Sequence, residues 1–442
     1  MNKKVFYLAL SFISILCVFG FLQQATAQTE ITKWQYDKKA AVSLTYDDGS
    51  PNQFRYALPI MDRLQLPGTF FIITGPITGS HYKGEFIGRP VKEIIAESAS
   101  ILTDAGNFFE RTSAARYLGH KGALAFYDKA DQLYESGKAA AAYRVIDTLY
   151  QQVRRGILKP GSEVSMEVSD EIGLTWPRVK EMATGGHEFA SHTVTHAHLA
   201  VLDSVNMLYE LEKSKEEIRR NLGDSYTFSA EVPYGIEDKR VMKLGLPVYP
   251  ALRNLMPDTF LEEINRGYKM QPGESKKEYV QWQRGPLSKT PLQLMKSWVD
   301  TSLAHNNIWL VLVFHGVEGV GWEALPKEVL NEYFQYIKKN ERDVWVATFG
   351  DVARYIRERM NAKIQVHQRG DQIGVDLTHS LNAQLYNIPL TLKTYVPSDW
   401  KNVLVKQETK EQHVQPKHDS IGTYVLYQAI PNTGSIELLE SK

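Results

Sequence analysis

The stretch Ala40-Ala-Val-Ser-Leu-Thr-Tyr-Asp-Asp-Gly49 reads as an apolar strand that runs into two carboxylates and a turn glycine. Strand ends of this kind form the rim on which α/β folds keep their chemistry. An isolated Asp-Asp-Gly is usually only a turn, so its meaning depends on what else reaches the same rim. Two further strings do. Gly185-Gly-His-Glu-Phe-Ala190 reads as a turn and a short strand, followed by Ser191-His-Thr-Val-Thr-His196. His192 and His196 stand at i and i+4, a spacing that places both imidazoles on one face if the segment turns helical. Ile308-Trp-Leu-Val-Leu-Val-Phe314 is a continuous apolar run, as in a strand buried on both faces of a parallel sheet, and it ends at His315 and Gly316.

Each string alone has a bland explanation: a turn, a packing accident, a satisfied structural histidine. Together, each after an apolar strand, they supply a carboxylate pair, a histidine pair and a lone histidine. Two neutral imidazoles and one carboxylate, with positions left open, suit zinc or another first-row divalent ion. A histidine at a neighbouring strand end is where a general acid is expected.

With TYDDG at 45–49 and SHTVTH at 191–196, the sequence resembles the polysaccharide deacetylases of the NodB-homology family, also called carbohydrate esterase family four. The resemblance runs over roughly residues 33–360, broken by an insertion. It implies that Asp47 is the catalytic base, that Asp48, His192 and His196 hold one divalent metal ion, with zinc first among the candidates, and that His315 is the general acid. The family's third motif, Arg-Pro-Pro-Tyr-Gly, stands here as Glu231-Val-Pro-Tyr-Gly235. The main-chain N–H of Tyr234 is then the implied oxyanion donor, but the arginine that orients the base is missing. A cation is still useful beside Asp47, to keep it ionised and oriented. Arg253, in Tyr249-Pro-Ala-Leu-Arg253, falls where the fourth motif normally lies and is the candidate replacement; its plain alternative is an ordinary salt-bridging arginine. The fourth motif's usual Asp-x-x-Asp-Trp is not recognisable.

Composition fits an exported globular enzyme. Of 442 residues, 43% are hydrophobic and 23% charged, and Lys plus Arg equals Asp plus Glu at 51 each. A formal charge of zero gives no electrostatic case for nucleic-acid binding. Lys3 and Lys4, an apolar stretch from Val5 to Phe21 and the small residues Ala25-Thr-Ala27 read as a signal peptide over 1–27, which implies a periplasmic or extracellular protein with no stable membrane insertion after cleavage. The sole cysteine, Cys17, lies inside that segment, so the mature chain is expected to have no disulfide.

Between the first two motifs, about 85–165, an Ala-, Glu-, Lys- and Leu-rich segment with apolar positions such as Ile94, Ile95, Ile101 and Leu102 predicts a helical insertion. It either overhangs the strand ends or packs as an outer appendage. From 362 to 442 alternating patterns such as Ile373, Val375 and Leu377 predict a β-sandwich-like module, whose Tyr386, Tyr395, Trp400 and Tyr427 are either core or a sugar-stacking surface. The expected architecture is thus α/β: a distorted parallel (β/α) barrel of the polysaccharide deacetylase type over 28–361, with the helical insertion and a C-terminal all-β domain. The expected activity is hydrolytic removal of acetyl groups from an N-acetylated saccharide or polysaccharide. The alternatives are an O-acetyl esterase on xylan-like glycans, a non-catalytic carbohydrate-binding protein on the same fold, and a structural envelope protein with an idle site.

Overall fold

The computed structural model describes residues 28–162, 173–235 and 238–441; the signal segment expected at 1–27 lies outside them. Nine strands form a parallel sheet: β1 (Ala40–Tyr46), β2 (Gly68–Ile72), β3 (Glu188–Ser191), β4 (Ser229–Ala230), β5 (Ala251–Leu252), β6 (Leu261–Ile264), β7 (Tyr279–Arg284), β8 (Ile308–Phe314) and β9 (Val344–Val346). Their order is β5-β4-β3-β2-β1-β8-β7-β6. β9 takes the lower part of β1, pairing at Ala40–Val42, while β2 takes the upper part at Leu44–Tyr46. No ladder joins β5 to β6 among the described residues, so the sheet curls into an open half-barrel.

β1 and β8 are buried along their whole length, as central strands of a parallel sheet covered on both faces must be. The period of two sorts their side chains. Val42, Leu44 and Tyr46 enter an outer core with helix residues such as Met61, Leu330 and Phe334. Ser43, Thr45 and Asp47 face the other way, where Ser43 accepts the Trp309 indole N–H at 3.0 Å and Thr45 meets Arg253. Full burial of each large apolar side chain stabilises by roughly 1.5–3 kcal/mol, so this alternation fixes which face Asp47 occupies. The β1–β8 register runs from Ala41 opposite Trp309 to Tyr46 opposite Phe314. It continues one residue further, where the Asp47 N–H donates to the Phe314 carbonyl at 3.0 Å and brings Asp47 beside His315.

The insertion is helical: α1 (Val91–Glu97), α2 (Phe108–Ala115), α3 (Ala123–Glu135) and α4 (Ala139–Arg154). α1 stops before Ile101 and Leu102, which are exposed rather than part of the apolar face their spacing suggested. The helices do not stand off the barrel. Phe108, Tyr127, Ile146 and Leu149 share a core with Leu199 and Val201 after the histidine motif, with Leu211 of α5 (Ser204–Leu222) and with Val232 of the third motif.

The C-terminal strands are antiparallel throughout and form two sheets. Val375, Val403 and Leu438 of one meet Leu392, Val425 and Tyr427 of the other in a common core. Tyr427 and Trp400 are buried there, which removes both from any sugar-stacking surface. The strand Thr29–Ile31 pairs with Leu390–Tyr395 and so ties the start of the described chain to this module. No helix among the described residues is long and apolar enough to cross a membrane.

Candidate active site

Asp47 and Asp48 are adjacent, yet the backbone sends them to different tasks. Asp47 keeps the strand alternation and points inward. Asp48 adopts a left-handed conformation, φ 73°, which aspartate tolerates better than most residues, and Gly49 follows at φ 77°. A side chain at position 49 would be strained by that φ and would press on Ile72 at 3.3 Å.

The histidine motif is not a helix. β3 ends at Ser191, and the chain turns through Thr193 at φ 68° and His196 at φ 58°. Side chains replace the helical bonds. Ser191 Oγ accepts the Thr193 N–H at 3.1 Å and Thr193 Oγ1 accepts the His196 N–H at 3.0 Å. The Glu210 carboxylate takes the N–H groups of Val194 and Thr195 at 2.9 and 2.8 Å. The i, i+4 spacing therefore spans a turn clamped from α5, and the imidazoles still converge, with ring centroids 4.8 Å apart.

Asp48 Oδ1 lies 3.6 Å from His192 Nε2 and 3.4 Å from His196 Nε2, and one ligand atom from each residue falls within 4.8 Å of the others. These separations are long for hydrogen bonds but close to the roughly 3.3 Å between ligands that each sit about 2.0–2.1 Å from a tetrahedral zinc. His192 Nδ1 is 3.0 Å from the Glu231 carbonyl, so it carries the proton and leaves the Nε2 lone pair for a metal. The donor set fits a divalent ion.

Asp47 is gripped by Arg253. The guanidinium donates Nη1–H to Oδ1 and Nη2–H to Oδ2, both at 2.7 Å, in the planar fork that only arginine offers. It also reaches Thr45 Oγ1 at 2.9 Å and Glu231 Oε1 at 2.9 Å. Arg253, Asp47 and Glu231 are all essentially buried, at 1%, 3% and 2% side-chain exposure. Burial alone would keep Asp47 protonated, but Arg253, helped by His315, outweighs it and holds the carboxyl well below the usual carboxylate range. Glu231 has the opposite balance: burial, reinforced by Asp47, raises it despite Arg253. His315 Nε2 lies 3.4 Å from Asp47 Oδ2. Burial pushes this imidazole down, against the pull of Asp47 and Asp48, and the half-exposed Trp322 packs edge-on at 4.7 Å. Tyr234 sits at φ 64° with its ring 4.7 Å from that of His196.

The structure thus brings all seven residues singled out in the sequence to one rim. A family model for polysaccharide deacetylases matches residues 35–104 and 127–246, which carry TYDDG, the histidine pair and the Pro-Tyr-Gly of the third motif. These stretches belong to the polysaccharide deacetylase family. Among curated proteins the chain is similar to a gellan lyase from Bacillus sp, 23% identical over 286 residues, which cover 59% of this chain and 11% of that protein. The chain therefore spans about a tenth of that relative's length. Among solved structures it is similar to PdaA of Bacillus subtilis, a family 4 carbohydrate esterase, at 12% identity, with 73% of this chain and 83% of that one covered and a TM-score of 0.32. A family 4 carbohydrate esterase from Streptomyces lividans, in complex with acetate, is 11% identical, with 70% and 92% covered and a TM-score of 0.31.

Around this site three supports escaped the sequence reading. Glu231 is more than a lost arginine: its carboxylate meets Arg253 and its carbonyl orients His192. Gln281 and Gln283 both donate to the Arg253 carbonyl, at 2.6 and 2.9 Å. Asn206, Glu210, Ser214 and Glu217 form a buried polar stripe on α5, and the first three serve Ile87, the histidine turn and Ser191. Their three-to-four spacing was visible; that a polar stripe should face inward was not, because only the loops it serves explain it.

Proposed function

We propose that this chain is a metal-dependent hydrolase that removes acetyl groups from an N-acetylated saccharide. The observation that carries the reading is the juxtaposition of two units: the Asp48–His192–His196 donor set and, beside it, a base clamped by a guanidinium with an imidazole 3.4 Å away. Asp48, His192 and His196 would hold the ion, with zinc favoured by the nitrogen-rich, tetrahedrally spaced donors. When bound, such an ion supplies Lewis acidity that activates water and polarises a carbonyl.

The protein's own residues supply the rest. Asp47, kept ionised and immobile by Arg253, accepts a proton from the attacking water. The Tyr234 main-chain N–H is assigned to the oxyanion. His315, far from Asp47 in the chain but at the end of the neighbouring strand in the sheet, delivers a proton to the leaving amine, so water and amide become acetate and amine. Export through residues 1–27 belongs to the same proposal. The test is acetate release from chitin-like oligomers, peptidoglycan fragments, poly-N-acetylglucosamine and O-acetylated xylan, with and without chelator. Release from the N-acetylated members, lost on chelation and restored by zinc, is expected. Release from xylan alone would make the chain an O-acetyl esterase, and metal binding without any release would leave a carbohydrate-binding protein.

A further inference from the structure

We propose that the helical insertion is a working part of this active site, with Asp131 and His198 acting as positioning residues for Tyr234. The inference rests on the oxyanion role given to Tyr234 above. His198 lies two residues beyond His196, and its ring stacks on that of Tyr234 with centroids 3.7 Å apart and planes 3° from parallel. Tyr234 also packs against His196 at 4.7 Å, so its ring is held between two histidines of one turn.

His198 is in turn held by the insertion. Its Nδ1 is 2.8 Å from Oδ2 of Asp131, a buried carboxylate on α3. One turn earlier on the same face, Tyr127 packs edge-on against the His198 ring at 5.7 Å and donates its hydroxyl to the His198 carbonyl at 3.4 Å. A second, separate contact ties the insertion to the ligand turn: the buried Arg116 of the segment between α2 and α3 pairs with Glu210 at 3.2 Å and donates to Thr195 Oγ1. The stack has a job to do. Left-handed backbone at a bulky aromatic is strained and persists only where the surroundings over-determine it. Tyr234 at φ 64° is such a position, and its ring is fixed through His198 by a helix far away in sequence.

The experiment compares Asp131→Asn, His198→Ala, His198→Phe and the Asp131→Asn/His198→Phe double variant, each loaded with zinc. Loosening the oxyanion donor should lower kcat about 10- to 100-fold with little change in KM for Asp131→Asn and His198→Ala. His198→Phe keeps a flat ring for the stack but lacks the tie to Asp131, so it should recover only part of the His198→Ala loss. In the Phe background Asp131→Asn should add nothing. The same cycle is read without turnover from the Tyr234 amide resonance of the 15N-tyrosine-labelled, metal-free protein: it should shift in Asp131→Asn, and not between His198→Phe and the double variant. A silent Asp131→Asn, or an Asp131→Asn loss that persists in full in the Phe background, overturns the inference. If the wild type releases no acetate, the proposed function fails, and the amide cycle alone decides the brace.

Discussion

Replacing Arg253 by alanine should cost this site both stability and turnover. The guanidinium makes two 2.7 Å bonds to Asp47 and a 2.9 Å contact to Glu231, all away from water. Breaking a buried ion pair from one side typically costs about 3–5 kcal/mol, because the remaining charge is stranded. Two carboxylates are stranded here, but Glu231, already raised by burial, can take up a proton and relieve its share. The expected loss is therefore near the lower end, about 3 kcal/mol, in urea unfolding at neutral pH. Turnover should fall about 100-fold or more, since the base loses its orientation, and the acidic limb of the pH–rate profile should move up as Asp47 loses the cation that keeps it ionised. Metal content should persist, because Arg253 touches none of the ligand atoms. Arg253→Lys restores charge without the fork and should recover only part of either loss. Adding Glu231→Gln to Arg253→Ala removes one stranded charge, so the pair should be non-additive by at least about 1 kcal/mol. An Arg253→Ala protein within 1 kcal/mol of the wild type, with an unaltered pH profile, would refute the idea that this cation holds the base.

Purified protein should carry about one divalent ion per chain, and Asp48→Ala or His192→Ala should weaken zinc binding at least about 100-fold by competition with a chromophoric chelator; full occupancy in the double variant sinks the ligand assignment. Asp47→Asn should keep the ion but lose turnover by about 100- to 10,000-fold, whereas Asp48→Asn should lose both; equal metal loss in the two variants is the contrary result. Away from the site, Glu358 of α6 (Phe349–Asn361) is buried near His379, at 3.4 Å, and its carboxyl is raised from 4.5 to about 7 by that burial. The folded state then keeps a proton that the unfolded chain releases, so stability should fall as pH rises from about 4.5 to about 7 and level off above. Glu358→Gln should remove about 3 kcal/mol of that slope, read as urea midpoints at pH 5 and pH 8, and parallel curves for the two proteins would count against it.

The strands were legible because their signal is local. β1 and β8 announce themselves by uninterrupted apolar runs ending in Asp47 and His315, and a parallel sheet buried on both faces needs such runs. The open edge between β5 and β6 was not legible. Both are short, and Ala251–Leu252 offers too few residues for any period to show. The helical segment between the first two motifs could be read as helix from its composition, but its docking could not. That depends on Tyr127 and Phe108 finding Leu199, Val201 and Val232, contacts between positions far apart in the chain.

At the site, residue types were readable and geometry was not. His192 and His196 suggested a helix through their spacing, and the correct convergence arose from a turn whose N–H groups are taken by Glu210. Arg253 and Glu231 show why a missing motif residue need not mean a missing interaction. Where the family pattern has arginine, this chain has a carboxylate, and the cation arrives from the end of β5, the next strand in sequence. What the base proposed at Asp47 requires is a guanidinium in plane with its carboxylate, not a guanidinium at a given motif position. β4 and β5 are hydrogen-bonded neighbours, with Ala230 opposite Leu252, so Glu231 and Arg253 occupy adjoining strand ends and either can carry the positive partner if the other carries the negative one. A pattern match alone scores the missing arginine as a loss, whereas the strand register lets the same pairing be met from the neighbouring strand.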